Sequence, residues 1–210
     1  MVADDGAIAL MEERASSYLL FSALFYQEAT KEFFEQLLES YREVGPFAGY
    51  LDSVAGKDAQ ELLASSKSEY AALFLGMSAK PVFASESVYL SENHCLMQEQ
   101  RDEVLALYRS TGFVPDASFR EPEDHIAVEL SFMAQLCALA MESVKEGDAD
   151  AAEEHMGRQK EFFEGHLGKW AFEFCGAVRQ HNRANFYRAV ADLFEEFMKT
   201  EQEYFASLVD

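Results

Sequence analysis

Apolar residues recur every three or four positions along almost the whole chain, and this spacing limits the possible folds more than any other feature. The first run carries Leu19, Phe21, Leu24 and Phe25, and the last carries Phe186, Val190, Leu193, Phe194, Phe197 and Tyr204. Such spacing gives an α-helix one apolar stripe, whereas a half-buried strand needs alternation, which no stretch of useful length shows. The sequence therefore predicts an all-α protein, a single helical-bundle domain of about eight helices over residues 1–210.

Capping residues and glycines predict where the helices begin and end. Thr30 should cap a second helix that stops near Gly45 and Pro46. A third should run from about Asp58 to Leu75, with Gly76 as its stop. Further helices are expected over about 96–110, from Pro122 to near Gly147, over about 149–167, from Gly168, and from a cap at Asn185. Two longer connections, 77–91 and 113–121, should join them.

The charge balance limits the kinds of partner. The chain has 38 acidic and 17 basic residues, for a net charge of -21. Nucleic acids and anionic membranes need a cationic surface, so neither is expected as a partner, and a cationic partner is favoured. The alternative is that the acidic residues lie on solvated helix faces and only keep the protein soluble.

Cysteine spacing and the N-terminal segment indicate the compartment. Cys95, Cys137 and Cys175 are far apart and form no Cys-x-x-Cys pair, so we expect buried thiols in a reducing compartment. The first six residues are acidic where a secretory leader is basic, and the apolar stretch 15–26 is too short to span a bilayer. A soluble, cytoplasmic protein without membrane insertion is expected.

A polar segment precedes the most apolar helix of the chain. Residues 121–125 read Glu-Pro-Glu-Asp-His, and the following helix is apolar on nearly every side. Pro122 suits the first helical position with Glu121 as the cap. Glu123 and Asp124 would then lie where the helix dipole favours negative charge. Starting a buried helix is the purely structural explanation of this segment.

Motifs for catalysis and metal binding are absent from the sequence. None of the five histidines follows a glutamate by three positions, as di-iron bundles require, and no Gly-x-x-x-x-Gly-Lys loop occurs. His155 and His166 lie eleven residues apart on one predicted helix, but no third ligand accompanies them. Trp170 is expected to pack in the core. We therefore expect no enzyme, no metal and no cofactor.

Five short blocks follow one another along the sequence: residues 70–76, 86–90, 121–130, 162–170 and 186–187. The second reads Glu-Ser-Val-Tyr-Leu, and the third is the Glu-Pro-Glu-Asp-His segment with its apolar helix. In content, order and spacing the blocks resemble the TorD/DmsD family of cytoplasmic redox-enzyme maturation chaperones, to which NarJ is more distantly related. The resemblance covers nearly the whole chain.

The resemblance implies an all-helical chaperone, either a monomer or a domain-swapped dimer. Such a chaperone binds the twin-arginine signal peptide of a molybdenum-cofactor oxidoreductase, and in some members also the apo form of that molybdopterin-dependent reductase. It thereby delays export until the cofactor is inserted. Asp124 and His125 match the family's leader-binding pair. The DMSO-reductase branch is rich in Trp and Pro where this chain has Met77, Pro81, Val82 and Phe83, so the client enzyme stays open.

A twin-arginine leader presents two guanidinium groups followed by apolar residues, so its receptor needs carboxylates beside an apolar groove. The expected peptide-binding residues are Glu86, Glu121, Glu123, Asp124 and His125, with Phe83, Val88, Tyr89 and Leu90 as the groove lining. Two alternatives are kept. Asp124 and His125 tie the loop 113–121 onto the bundle, or an acidic helical scaffold binds some other basic protein.

Overall fold

The computed structural model describes residues 5–40, 45–116 and 119–208. Within these ranges the elements are α1 (Asp5–Tyr26), α2 (Lys31–Ser40), α3 (Gly45–Ser53), α4 (Ala59–Phe74), α5 (Glu86–Leu90), α6 (Glu99–Ser110), α7 (Ile126–Glu146), α8 (Ala149–Phe162), a π-helical turn (Phe163–Leu167), α9 (Gly168–Gln180) and α10 (Phe186–Ser207). No strand occurs in this part of the chain, so the prediction of an all-α fold is confirmed.

Helix boundaries set by local side chains were predicted correctly. The Thr30 hydroxyl accepts a hydrogen bond of 3.2 Å from Phe33 N at the start of α2. Asp58 and Glu61 form a reciprocal capping box at the start of α4. Gly76, just beyond α4, has φ +70°, a conformation that glycine adopts without a steric penalty.

One predicted boundary is not tested and one is wrong. The stop of α2 predicted near Gly45 and Pro46 falls on residues 41–44, which lie outside the described part. Gly45 and Pro46 themselves begin α3, where proline is well tolerated because its missing N–H needs no partner in a first turn. The helix predicted from Pro122 begins at Ile126, since His125 N donates to Pro122 O at 3.0 Å and closes a turn there.

The chain divides into two compact units, and the predicted single domain over 1–210 stays a prediction. The first unit comprises Met1–Ser22 and Ser85–Trp170, and the second comprises Ala23–Ala84 and Ala171–Asp210. In the first unit, α7 packs against α8. The ring of Phe132 lies 4.7 Å from that of Tyr108 and 4.8 Å from that of Phe162. All three rings are buried and form part of the core of the first unit.

The second unit is organised around the start of α10. The ring of Phe186 contacts those of Phe34 and Tyr50, at 4.9 and 5.5 Å. Asn185 occupies the predicted cap position, but its side chain makes no capping bond within the described structure. The carboxylate of Glu69 accepts hydrogen bonds from the N–H groups of residues 185, 186 and 187 instead. A distant acid thus caps this helix.

Helix α7 is buried on most of its surface. Among the described residues it alone is long and apolar enough to cross a membrane, and 67% of its most apolar window is buried inside the protein, as in the core helix of a soluble protein. Cys137 and Cys175 are buried as predicted, and so is Trp170. Cys95 is exposed, so that part of the prediction is wrong, because this residue lies in the surface loop between α5 and α6.

Candidate functional site

Hydrogen bonds join the turn at residues 121–125 to α5. Asp124 Oδ2 accepts hydrogen bonds from Ser87 N at 2.9 Å and from Ser87 Oγ at 2.5 Å, and Asp124 O accepts one from Glu86 N at 2.9 Å. Ser85 and His125 form an antiparallel bridge beside them. The N–H groups of a first helical turn need acceptors outside the helix. Ser85, at the cap position, supplies no side-chain acceptor in the described structure, so Asp124 takes that role for α5.

His125 caps the helix that follows. Its Nδ1 accepts a hydrogen bond of 3.2 Å from Ala127 N, which requires that Nδ1 carries no proton. Burial lowers the pKa of His125 to about 4. His125 is therefore neutral at pH 7, and it bonds a peptide group of its own helix.

The pKa of His125 predicts a pH-dependent stability. The imidazole has an ordinary pKa of 6.5 when it is exposed to water in the unfolded chain and a pKa of about 4 in the fold, so between these values the unfolded chain binds more protons. The stability that neutral His125 provides is therefore complete above pH 6.5 and is lost as the pH falls towards 4. Urea unfolding should show that lowering the pH from 7.5 to 5 costs the unsubstituted protein about 2 kcal/mol more than it costs His125→Asn.

Asparagine is the appropriate control because it caps helices well and does not titrate. Equal losses of stability in the two proteins over this pH range would contradict the buried, neutral state of His125.

Two further carboxyl groups and a histidine lie buried near Asp124. His166 Nδ1 is 3.1 Å from Glu86 Oε1 and 3.2 Å from Glu86 Oε2, and Trp170 Nε1 donates to Glu129 Oε2 at 3.1 Å. Burial raises the pKa of both carboxyls, and His166 opposes the rise at Glu86. At Glu129 the charge of Glu86 adds to this rise of the pKa.

His166 reaches Glu86 from the π-helical turn, which ends the segment predicted as a helix over 149–167. A π-helical turn is rare and often marks a functional site. The turn depends on Gly168, because a Cβ at this position would lie 2.7 Å from Phe163 O and 2.9 Å from Phe163 Cε1. Glycine is thus required by close packing and not by a positive φ.

Glu123 is held at the surface by an arginine. Arg101 Nε and Nη2 donate to its two carboxylate oxygens at 2.5 and 3.0 Å, and the pKa of Glu123 is lowered by these bonds. Tyr108 Oη on α6 donates a hydrogen bond of 3.1 Å to Glu123 O, and this bond fixes the backbone of the turn. Both members of the ion pair remain partly exposed, Arg101 by 24% and Glu123 by 31% of the side chain.

Comparison with known proteins places this chain in a family. The nitrate reductase delta subunit family matches residues 26–176, more than two thirds of the chain. The chain belongs to this family. It is 27% identical over 214 residues to the chaperone protein TorD of Aliivibrio salmonicida, covering 94% of this chain and 97% of that protein. It is 28% identical over 213 residues to TorD of Vibrio parahaemolyticus, covering 93% and 96%. No solved structure matches the chain.

The family resemblance predicted from the five blocks is thereby confirmed. Two of these blocks, residues 86–90 and 121–130, supply much of the candidate site. Glu86, Asp124 and His125 come together in the first unit, but the first two side chains are almost fully buried, with 1% and 0% exposed. Residues 88–90 on α5 are partly exposed, and Glu121 is exposed. Phe83 lies in the second unit and is half exposed, and its predicted role stays a prediction.

Several residues of this site were missed from the sequence. Ser87, Arg101, Glu129 and His166 were not predicted as partners of the acids. Glu129 carried a usable signal, because a single acid within an apolar helix needs a buried partner. Asp124 holds α5 and His125 caps α7. The ring of His125 also contacts that of Phe119 edge to face, with the centroids 5.7 Å apart, so the structural alternative, in which the pair ties the loop 113–121 to the bundle, keeps support at His125. Among the described residues, no three His, Cys, Asp or Glu side chains group as metal ligands.

Proposed function

We propose that this protein is a cytoplasmic chaperone that binds the twin-arginine signal peptide of a molybdenum-cofactor oxidoreductase, and possesses no enzymatic activity. It also binds the apo form of the reductase, and it delays export until the cofactor is inserted. Family membership and similarity to TorD chaperones over more than 90% of the chain support a chaperone of redox-enzyme maturation.

The observation that carries the proposal is the hydrogen bonding between α5 and the turn at residues 121–125. Asp124 accepts a hydrogen bond from Ser87 on the helix that carries the partly exposed side chains 88–90, and the surface acids Glu121 and Glu123 lie within three positions of Asp124 in the chain. Carboxylates are thereby placed near apolar side chains on one unit, which is the arrangement that a leader with arginines and an apolar segment requires.

The acids divide into two roles in this proposal. Glu121 and Glu123 are accessible, and they contact the guanidinium groups of the leader. Asp124, Glu86 and His125 are buried, and they position α5 and the turn. Val88, Tyr89 and Leu90 contact the apolar part of the leader, with Tyr89 held by stacking on Trp170 at 5.2 Å.

The apolar contacts supply most of the affinity. An exposed ion pair contributes about 0–1 kcal/mol, whereas burial of one Leu-sized side chain contributes about 1.5–3 kcal/mol. The acids therefore set the register of the leader and the rate of association, which the net charge of -21 also favours.

Calorimetric titration with a leader peptide, compared with an unrelated basic peptide of equal charge, tests the proposal. We expect saturable binding of the leader and much weaker binding of the unrelated peptide. Equal binding of the two would favour the second candidate, an acidic scaffold for another basic protein, which the net charge alone supports. No binding of any leader would contradict the proposal.

A further inference from the structure

The carboxylate of Glu123 is already paired with a guanidinium group, that of Arg101, and a twin-arginine leader would bring the same kind of group. Arg101 presents two donors to the two oxygens of this carboxylate, at 2.5 and 3.0 Å. This fork geometry is specific to a guanidinium, because the single point charge of a lysine ammonium cannot reproduce it. A leader arginine cannot form the same pair with Glu123 while Arg101 occupies both oxygens.

We propose that Arg101 is an internal competitor of the leader, which occupies the Glu123 carboxylate until a leader arginine displaces it. This inference rests on the proposed function and names a regulation of the same site. Arg101 keeps the affinity for the leader below its maximum. A leader held in this way is released more readily when export is due.

Displacing Arg101 from Glu123 should cost little free energy. The ion pair is partly exposed to solvent on both sides, and exposed pairs are easily broken. Arg101 Nη1 already lies 3.2 Å from Oδ1 of Asp102, a largely exposed acid on the same helix. A displaced Arg101 therefore keeps a carboxylate partner in water. Glu123 keeps its position as well, because Tyr108 Oη holds its backbone oxygen independently of Arg101.

Arg101→Gln tests the inference, because the variant frees Glu123 while the turn keeps its backbone anchor. Calorimetric titration should show that the twin-arginine leader binds about two- to five-fold more tightly, the fold-change that loss of an exposed competing pair provides. The gain should be smaller for a Lys-Lys leader. Arg101→Lys retains the charge but offers Glu123 only a single contact point, so it should show an intermediate gain in leader affinity. This second variant keeps the test valid if Arg101→Gln is poorly folded.

Arg158→Gln is the matched control for the change in net charge. Arg158 also forms a surface ion pair in the first unit, with Glu154 at 2.6 Å, one helical turn away on α8. Its removal adds the same negative charge without freeing Glu123, so leader affinity should stay within the range of that general charge effect. In the background of Glu123→Gln, the substitution Arg101→Gln should give no gain beyond that of Arg158→Gln.

The outcomes separate the two proposals. Unchanged or weaker leader binding in the folded Arg101 variants, when the unsubstituted protein binds the leader, overturns the competition and leaves the proposed function in place. An equal gain in Arg158→Gln overturns the competition as well. Failure of every variant and of the unsubstituted protein to bind any leader contradicts the proposed function itself, and the competition with it.

Discussion

Replacement of Asp124 by alanine is expected to lower the free energy of unfolding by about 3 kcal/mol, because two buried donors lose their acceptor. Asp124 Oδ2 accepts from both the backbone N–H and the hydroxyl of Ser87. Each buried donor left without a partner costs about 1–3 kcal/mol. Urea unfolding measures the loss, and the amide of Ser87 should exchange with solvent faster because the start of α5 opens more often.

Asp124→Asn is the matched control for this prediction. Both bonds end on Oδ2, so an asparagine whose amide oxygen takes that position still accepts both in nearly the same volume, and we expect only a small part of the loss. An alanine variant as stable as the unsubstituted protein would show that Asp124 does not hold α5.

The same alanine variant should bind leader peptides more weakly without changing the preference for arginine. Asp124 is fully buried, so its loss loosens α5 and weakens a twin-arginine and a Lys-Lys leader by one common factor. Glu123→Gln, in contrast, should reduce the preference itself. A changed arginine preference in Asp124→Ala, with the fold intact, would show that Asp124 contacts the leader directly.

Gly168→Ala is expected to destabilise the protein by about 1–3 kcal/mol, the cost of overpacking a filled site. The added methyl group would meet the backbone oxygen and the ring of Phe163, so the π-helical turn must shift. His166 lies in this turn and contacts Glu86, so the shift should separate the two side chains. Thermal unfolding measures the change in stability, and the histidine resonances of His166 report the loss of the Glu86 contact.

Gly165→Ala, in the same turn, provides the control. Apart from its chain neighbours and the backbone of its own helical turn, no atom of the described structure lies within 4 Å of a Cβ at Gly165. Alanine there should stabilise the protein by about 0.5–1 kcal/mol, as glycine replacement in a helix usually does. Equal effects of the two substitutions would contradict the requirement for glycine at 168.

Sequence reasoning succeeded where the partner of a residue lies close in the chain. Thr30, Asp58 and Gly76 act on backbone groups within about one helical turn, so local chemistry predicted the start of α2 and both ends of α4. The apolar spacing of three and four likewise predicted the helices themselves, because the buried stripe is a property of one segment.

The failures share a physical cause, which is capping or pairing by residues distant in sequence. Asp124 caps α5 across 37 residues, and Glu69 caps α10 across 116 to 118 residues. His166 pairs with Glu86 across 80 residues. No local pattern contains both partners, so Asp124 was expected in the first turn of its own helix. The burial of Asp124 and Glu86 was missed for the same reason.

Calorimetric titration with a twin-arginine leader and with its Lys-Lys counterpart, at low and high salt, measures directly whether the protein reads the arginines beside an apolar groove. We expect saturable binding of the twin-arginine leader that is weaker for the Lys-Lys peptide and persists in part at high salt, because apolar contacts are not screened. Equal binding of both peptides that disappears at high salt would contradict the proposed function, since it would show only nonspecific attraction to an acidic surface.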